Sequence, residues 1–451
     1  MLALVACHRK AEPHPAAKVA PSVVDAAVPS KTEGRPQPLS AIELPEDEYL
    51  RVVNGLRGFS QRLSGLVFEK FSDTHSNTGF SPVSVALVLG MLAASGDAQT
   101  QEKLAGSLGL SSSELHPALH WLQVHAEQAG RNQSQVCEEP GHCKPKEVQQ
   151  TVFANGAWFQ PKPLRADFRS ILEQHYAAEL GTITPDIQEE LRAWVDQKTL
   201  GLIPDFRENV SNTDLCELVN VLYFSARWRL PFSPKAPFYF TALNKRHAPI
   251  KAFRAQWGAG HYQSGPDYEA VTIDYAGSTV QALVILPRPG RFETVGKQLN
   301  DGRLVPQDLL REAKGDALLD VTMPEFEATS RLPELGTLLD QVTKGAFLRG
   351  AFAYYAGETY SPSKGNAVQR VYIHVDEKGT LAAAATLITE TEVSAITGRR
   401  KPPVPIVVRV NRPFYFFVRT TVSGIVLFAA RVTQPLWIKA ETALPAPAAS
   451  H

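Results

Sequence analysis

The residues able to do chemistry by type and spacing fall into three groups. In Cys137-Glu138-Glu139-Pro140-Gly141-His142-Cys143, two cysteines flank a Pro-Gly pair. In an oxidising compartment Cys137 and Cys143 can close a small surface disulfide. A zinc site built on Cys137, His142 and Cys143 lacks a fourth ligand and a zinc spacing, so no metal is expected. Ser81 and Ser84, in Phe80-Ser81-Pro82-Val83-Ser84, have the residue type of nucleophiles. Ser81 ahead of Pro82 reads better as a helix N-cap, and Ser84 as a buried packing serine. Arg399-Arg400-Lys401 could meet a polyanion, although such a run is by default a solvated one. His142, His261 and His374 form no cluster, and no H-E-x-x-H, G-x-S-x-G or Walker-type run exists. Neither an enzyme nor a cofactor site is expected. Cys216 opens an apolar strand and reads as an inert core thiol.

The scaffold that positions these residues is a core-bearing chain. Of 451 residues, 44% are hydrophobic and 20% charged, enough to bury a sizeable core. Lys+Arg and Asp+Glu are both 46, which leaves no cationic surplus for phosphate contacts and excludes a general nucleic-acid binder. No apolar run reaches the roughly 18–20 residues that span a bilayer. Residues 8–44 and 439–451 are Ala/Pro-rich and aperiodic, an unfolded tether and tail around one domain at 45–438. Ahead of the tether, Leu4-Val5-Ala6-Cys7 resembles a bacterial lipobox, so residues 1–7 read as a truncated lipoprotein leader. Cys7 is then the lipidation candidate and the one route to a membrane.

Apolar spacing predicts helices over 51–71, from Pro82, and near 99–107, 113–128, 164–176 and 187–198. Strand patterns occur at 151–158, 217–225, 278–286, 318–327 and 366–376, with a hairpin of 413–420 and 424–432. Helices lead and strands dominate the second half, which is an α+β arrangement. The stretch 376–403 fits neither pattern and is longer than a structureless loop should be unless it is functional. Its alanines favour helix, its threonines favour strand, and its small side chains suit a segment that slides between existing strands.

Taken together these residues resemble the serpin family over nearly the whole core. Phe80-Ser81-Pro82-Val83-Ser84 resembles the family's shutter motif. Leu218 to Phe224, followed by Trp228, Pro231 and Phe232, resembles its central strand and breach. Asp376-Glu377-Lys378-Gly379-Thr380 with Ala382, Ala383, Ala384 and Ala385 resembles the hinge of its reactive loop. Asn411-Arg412-Pro413-Phe414 and Gly424 to Val432 resemble its closing strands. The resemblance implies about eight to nine helices and three sheets, with an exposed reactive-centre loop at 377–404. It also implies a monomeric suicide inhibitor that covalently traps an extracellular serine or cysteine protease, secreted or held at the cell surface. The alternative is a non-inhibitory serpin that binds, stores or chaperones.

Residue by residue, Glu377, Gly379, Thr380 and Ala382 to Ala385 correspond to the hinge. Ser81, Ser84, Asn220, Trp228 and Gln369 correspond to the shutter and breach. Thr380 is the first hinge side chain that must enter the sheet, and at rest it is expected in or near water. Gln369 stands where the family often has histidine, so an amide must bond to the Ser81 region. Glu325 stands where a cation often faces the hinge glutamate, leaving Glu377 to Arg331, Arg370 or another cation. Family spacing from Glu377 selects Val393-Ser394 as the reactive bond, suited to a small apolar primary pocket. Spacing from Pro413 instead favours Arg399 or Arg400. A cut after Arg400 adds roughly 23 Å of slack at strand rise, which would crush a protease less.

Overall fold

A computed structural model describes residues 2–6, 39–72, 75–129, 132–139, 142–199, 201, 214–230, 232–310, 317–332, 335–360, 367–380 and 404–438. The elements run β1 (Leu2–Ala6), α1 (Glu46–Lys70), β2 (Thr78–Phe80), α2 (Pro82–Ala93), α3 (Ala98–Ser107) and α4 (Ser112–Ala129). Next come β3 (Asn132–Glu139), β4 (His142–Phe159), α5 (Ala166–Tyr176), β5 (Glu179–Thr182), α6 (Ile187–Lys198) and β6 (Cys216–Arg227). A strand-rich stretch follows, β7 (Ser233–Thr241), β8 (His247–Gly260), β9 (Tyr262–Ser264), β10 (Tyr268–Asp274) and β11 (Val280–Pro287). After α7 (Phe292–Asn300) stand β12 (Ala317–Pro324), β13 (Phe326–Leu332), α8 (Leu335–Val342) and α9 (Ala346–Arg349). The chain closes with β14 (Ala367–Val375), β15 (Gly379–Thr380), β16 (Ile406–Arg409), β17 (Phe414–Thr420) and β18 (Val426–Val432).

The strands form three sheets of eight, six and four strands, and with nine helices among the described residues the fold is mixed α+β. In the large sheet β13 lies outside β14, and β6, β4 and β3 continue beyond it, with β5 on β4. β6 is buried on both faces, which explains its near-continuous apolar sequence. Leu218, Leu222 and Phe224 join the main core, whereas Val219 and Val221 pack with Trp158, Leu191 and Trp194 beneath α6. α2 is buried at every residue, so it has no polar face to turn outward. Ser81 caps it by accepting the Ser84 N–H, and Pro82 supplies the first helical residue.

Two expectations change here. The tether ends earlier than 44, because Ile42 and Leu44 pack against the core and His120 Nε2 lies 2.9 Å from the Ser40 carbonyl. Residues 2–6, read as part of a leader, are a strand of the large sheet. The polar stretch around Cys137 is a hairpin, β3 pairing with β4 so that Cys137 stands opposite Cys143. The side chains of that pair lie outside the described residues.

Candidate functional site: a gap in the large sheet

β6 and β14 are not paired with each other; β15 enters between them from one end and β1 from the other. At the β15 end, the chain leaves Val375 and turns back within four residues. The Asp376 carboxylate accepts the N–H groups of Lys378 (2.8 Å) and Gly379 (3.1 Å), and Glu377 sits partly buried on that turn. Thr380 then stands opposite both Val375 and Ala226, antiparallel to each neighbour. Gly379 has φ +150°, and a Cβ there would meet the Ala226 carbonyl oxygen at 2.0 Å, so the turn requires glycine. Trp228 clamps the turn: its backbone N–H donates to the Lys378 carbonyl (3.0 Å) and its indole N–H to the Asp376 carbonyl (2.8 Å). The indole stacks on Tyr275 at 4.6 Å, and the Tyr275 hydroxyl bonds the Thr380 hydroxyl at 2.7 Å. Thr380 is 3% exposed. The expectation that it rests in water is therefore wrong, because Tyr275 reaches up from the six-stranded sheet's side and gives its hydroxyl a buried partner.

The charge arrangement at this end also differs from a Glu325–Glu377 clash. Glu325 is answered by Lys251 (3.6 Å) and His374 (4.0 Å). His374 also lies 3.2 Å from Glu327 and 3.8 Å from Asp376. The neighbouring Asp376 carboxylate raises the His374 pKa, burial opposes this, and the charges of Glu327 and Glu325 add to the rise. Burial alone would raise the Asp376 carboxyl, but His374 and the two turn N–H groups outweigh it and hold it below its ordinary value.

At the other end β1 lies antiparallel to both neighbours. Leu2 stands opposite Arg370 and Val221, and Val5 opposite Ala367 and Leu218. Beneath it Gln369, fully buried, brackets Ser81: its Oε1 accepts the Ser81 N–H (3.2 Å) and its Nε2 donates to the Ser81 carbonyl (3.1 Å). Asn220 donates to Asn155 Oδ1 (2.8 Å), and Asn155 donates to Gln123 Oε1 (2.9 Å) and to the Tyr176 carbonyl (2.6 Å). The Ser84 hydroxyl and Asn220 Oδ1 are buried with no hydrogen-bond partner among the described residues. Tyr275, Asn155 and Lys251 take part in the site but carried no signal in sequence, since each is recruited from a distant segment, whereas His374 lies on β14 two residues before Asp376. Cys216, expected as an inert thiol, is fully buried at the start of β6 and is disulfide-bonded. It adjoins Glu217, where the pairing of β6 with β1 ends. Ala382 to Ala385, Val393, Ser394, Arg399, Arg400 and Cys7 lie outside the described residues.

β6 and β14 thus stand apart, with Gly379 and Thr380 already seated between them at one end, further in than an exposed hinge would be. A family model described as serpin (serine protease inhibitor) matches residues 59–435. The chain belongs to the serpin family. An uncharacterized serpin-like protein of Thermococcus kodakarensis is 26% identical over 87% of this chain and 88% of its own length. Serine protease inhibitor A3K of Mus musculus is 26% identical over 86% of this chain and 90% of its own. Among solved structures, native tengpin, a thermophilic serpin, superposes with a TM-score of 0.68 at 20% identity, covering 90% of this chain and all of its own. Thyroxine-binding globulin in complex with thyroxine gives 0.62 at 19% identity, covering 86% and 99%. Serpins are in general protease inhibitors rather than enzymes, with non-inhibitory members. Among the described residues of this serpin no helix is long and apolar enough to cross a membrane.

Proposed function

We propose that this serpin is an inhibitory one, a suicide substrate that traps an extracellular serine or cysteine protease as a monomer. The observation that carries the reading is β15: Gly379 and Thr380 already form a strand between β6 and β14, with Thr380 buried on Tyr275. A hinge seated this way gives the reactive loop a path into the sheet. The protease nucleophile attacks the Val393 carbonyl, the Ser394 amine leaves, and an acyl-enzyme forms. The freed arm then extends β15 down the gap and drags the protease with it, so that water no longer completes deacylation. Thr380, Ala382, Ala384 and Thr386 fall on one face of such a strand and are all small, as burial requires. Gln369, Ser81, Ser84 and Asn220 act as the shutter that parts, and Trp228 as the breach clamp. The non-inhibitory alternative is disfavoured by the run Ala382 to Ala385, which carries no bulky or charged residue.

Incubation with a panel of small-pocket and trypsin-like proteases tests this. The expected result is a denaturant-resistant complex with a new amine at Ser394. Free cleaved protein without complex supports the non-inhibitory alternative, and a trapping cut after Arg399 or Arg400 moves the reactive bond there. Protein cut in the loop should also melt higher than intact protein, because an inserted strand satisfies backbone groups along β6 and β14.

A further inference from the structure

The gap holds a second strand that the inhibitory cycle does not use. β15 fixes the register in which the loop would insert, since Thr380 is opposite Val375 on one side and Ala226 on the other. Continued residue by residue, that register brings position 385 opposite Arg370 and Val221. Those are the two residues already facing Leu2. Positions 385–389, Ala-Thr-Leu-Ile-Thr, therefore map one to one onto residues 2–6, Leu-Ala-Leu-Val-Ala, with the same chain direction. Leu4-Val5 takes the register of Leu387-Ile388, so the two segments match where their side chains are largest.

We propose that residues 2–6 are an intramolecular brake: a strand that occupies the shutter end of the gap and competes with residues 385–389 for one strand site. The competition part rests on the inhibitory reading above; the strand site itself does not. Two strands cannot pair with the same backbone groups of β6 and β14, so the loop completes insertion only when β1 leaves. The brake is weaker than the loop at one identifiable point. Ala3 stands opposite both Asn220 and Gln369, and the buried Asn220 Oδ1 lacks a donor. In the loop the same register position is Thr386, whose hydroxyl can supply that hydrogen bond, and alanine cannot.

The test uses the full chain and two variants. Leu4→Pro removes a ladder N–H and loosens β1, whereas Ala3→Thr gives it the hydroxyl and tightens it. Hydrogen exchange read by mass spectrometry should show the gap-facing amides of 217–221 and 367–370 exchanging about tenfold faster in Leu4→Pro. A synthetic Leu-Ala-Leu-Val-Ala peptide should restore protection to that variant, and a scrambled peptide should not. Protease trapping should quicken about fivefold in Leu4→Pro and slow by a similar factor in Ala3→Thr. Unchanged exchange in Leu4→Pro overturns the strand site, as does an intact mass showing mature protein without residues 2–6. Altered exchange with unaltered trapping overturns the competition. If exchange follows β1 but no form traps any protease, the strand site stands and the inhibitory reading fails.

Discussion

The two ends of the gap between β6 and β14 accept strands by different means. At the β15 end side chains do the holding: Trp228 reads two carbonyls of the turn, Asp376 caps it, Tyr275 reaches Thr380, and Gly379 fits where no other residue does. At the β1 end the occupant is held through backbone register, and the polar side chains beneath it, Gln369 and Asn220, bond to α2 and β4 partners. Selection thus rests on side chains at the first end and on backbone register at the second. The gap thus holds the hinge at one end and residues 2–6 at the other.

Thr380→Arg should break the first end outright. A guanidinium has no partner in the space that Tyr275 closes, and burying it unpaired costs several kcal/mol. The ratio of inhibitor consumed per protease trapped should rise by about tenfold or more. The resting protein should also melt lower, because Thr380 is buried before any cleavage. Wild-type trapping by this variant would show that the buried hinge is not the one that inserts.

Cys216 makes the comparison sharper at the second end. Its replacement by serine should cost about 2–4 kcal/mol in oxidised protein and little after reduction. If Cys137 is bridged to Cys143 as proposed, the partner expected in a peptide map is the remaining cysteine, Cys7. A lipid on Cys7, or Cys216 joined to the hairpin, would contradict that pairing.

The smallest effect concerns pH at the β15 end. The folded pKa of His374 is raised from 6.5, so its contribution is full below that value and fades as pH rises through the folded one. Asp376 has its folded pKa lowered from 3.8, so its contribution is present above that value and is lost as pH falls through the folded one. This end should be tightest between the two values. His374→Gln should flatten the alkaline-side decline in melting temperature by about 2 °C and move the acid-side loss to higher pH, because His374 helps hold the Asp376 carboxyl down. An unchanged decline above pH 6.5 would detach His374 from the hinge.

Much of the fold was legible because its signals are local. The Ser81 cap, the periodicity of α1 and α6, and the double burial of β6 each lie within one short window of sequence. β7 was missed because Pro234 and Pro237 argue against a strand, yet it is the edge of the four-stranded sheet, where proline is tolerated. The site was harder. An amide at Gln369 facing Ser81 could be read from its type, whereas Thr380's burial depends on Tyr275, which is 105 positions away in sequence. β1 was opaque for a related reason: five apolar residues fit a leader as well as a strand, and only pairing with distant β6 and β14 decides between them.

One consequence follows from Gly379 and Thr380 being paired on both sides already. Strand formation, like helix formation, has a costly nucleus, because loose chain must be brought to a sheet before the first bond is gained. In this serpin that nucleus is assembled when the protein folds. On the inhibitory reading, insertion after cleavage then resembles closing a zipper whose slider is already engaged, each residue adding to an existing ladder. Its rate should follow the resistance met along the track rather than the search for its start, so that speed and fidelity can be tuned separately at the two ends of one sheet.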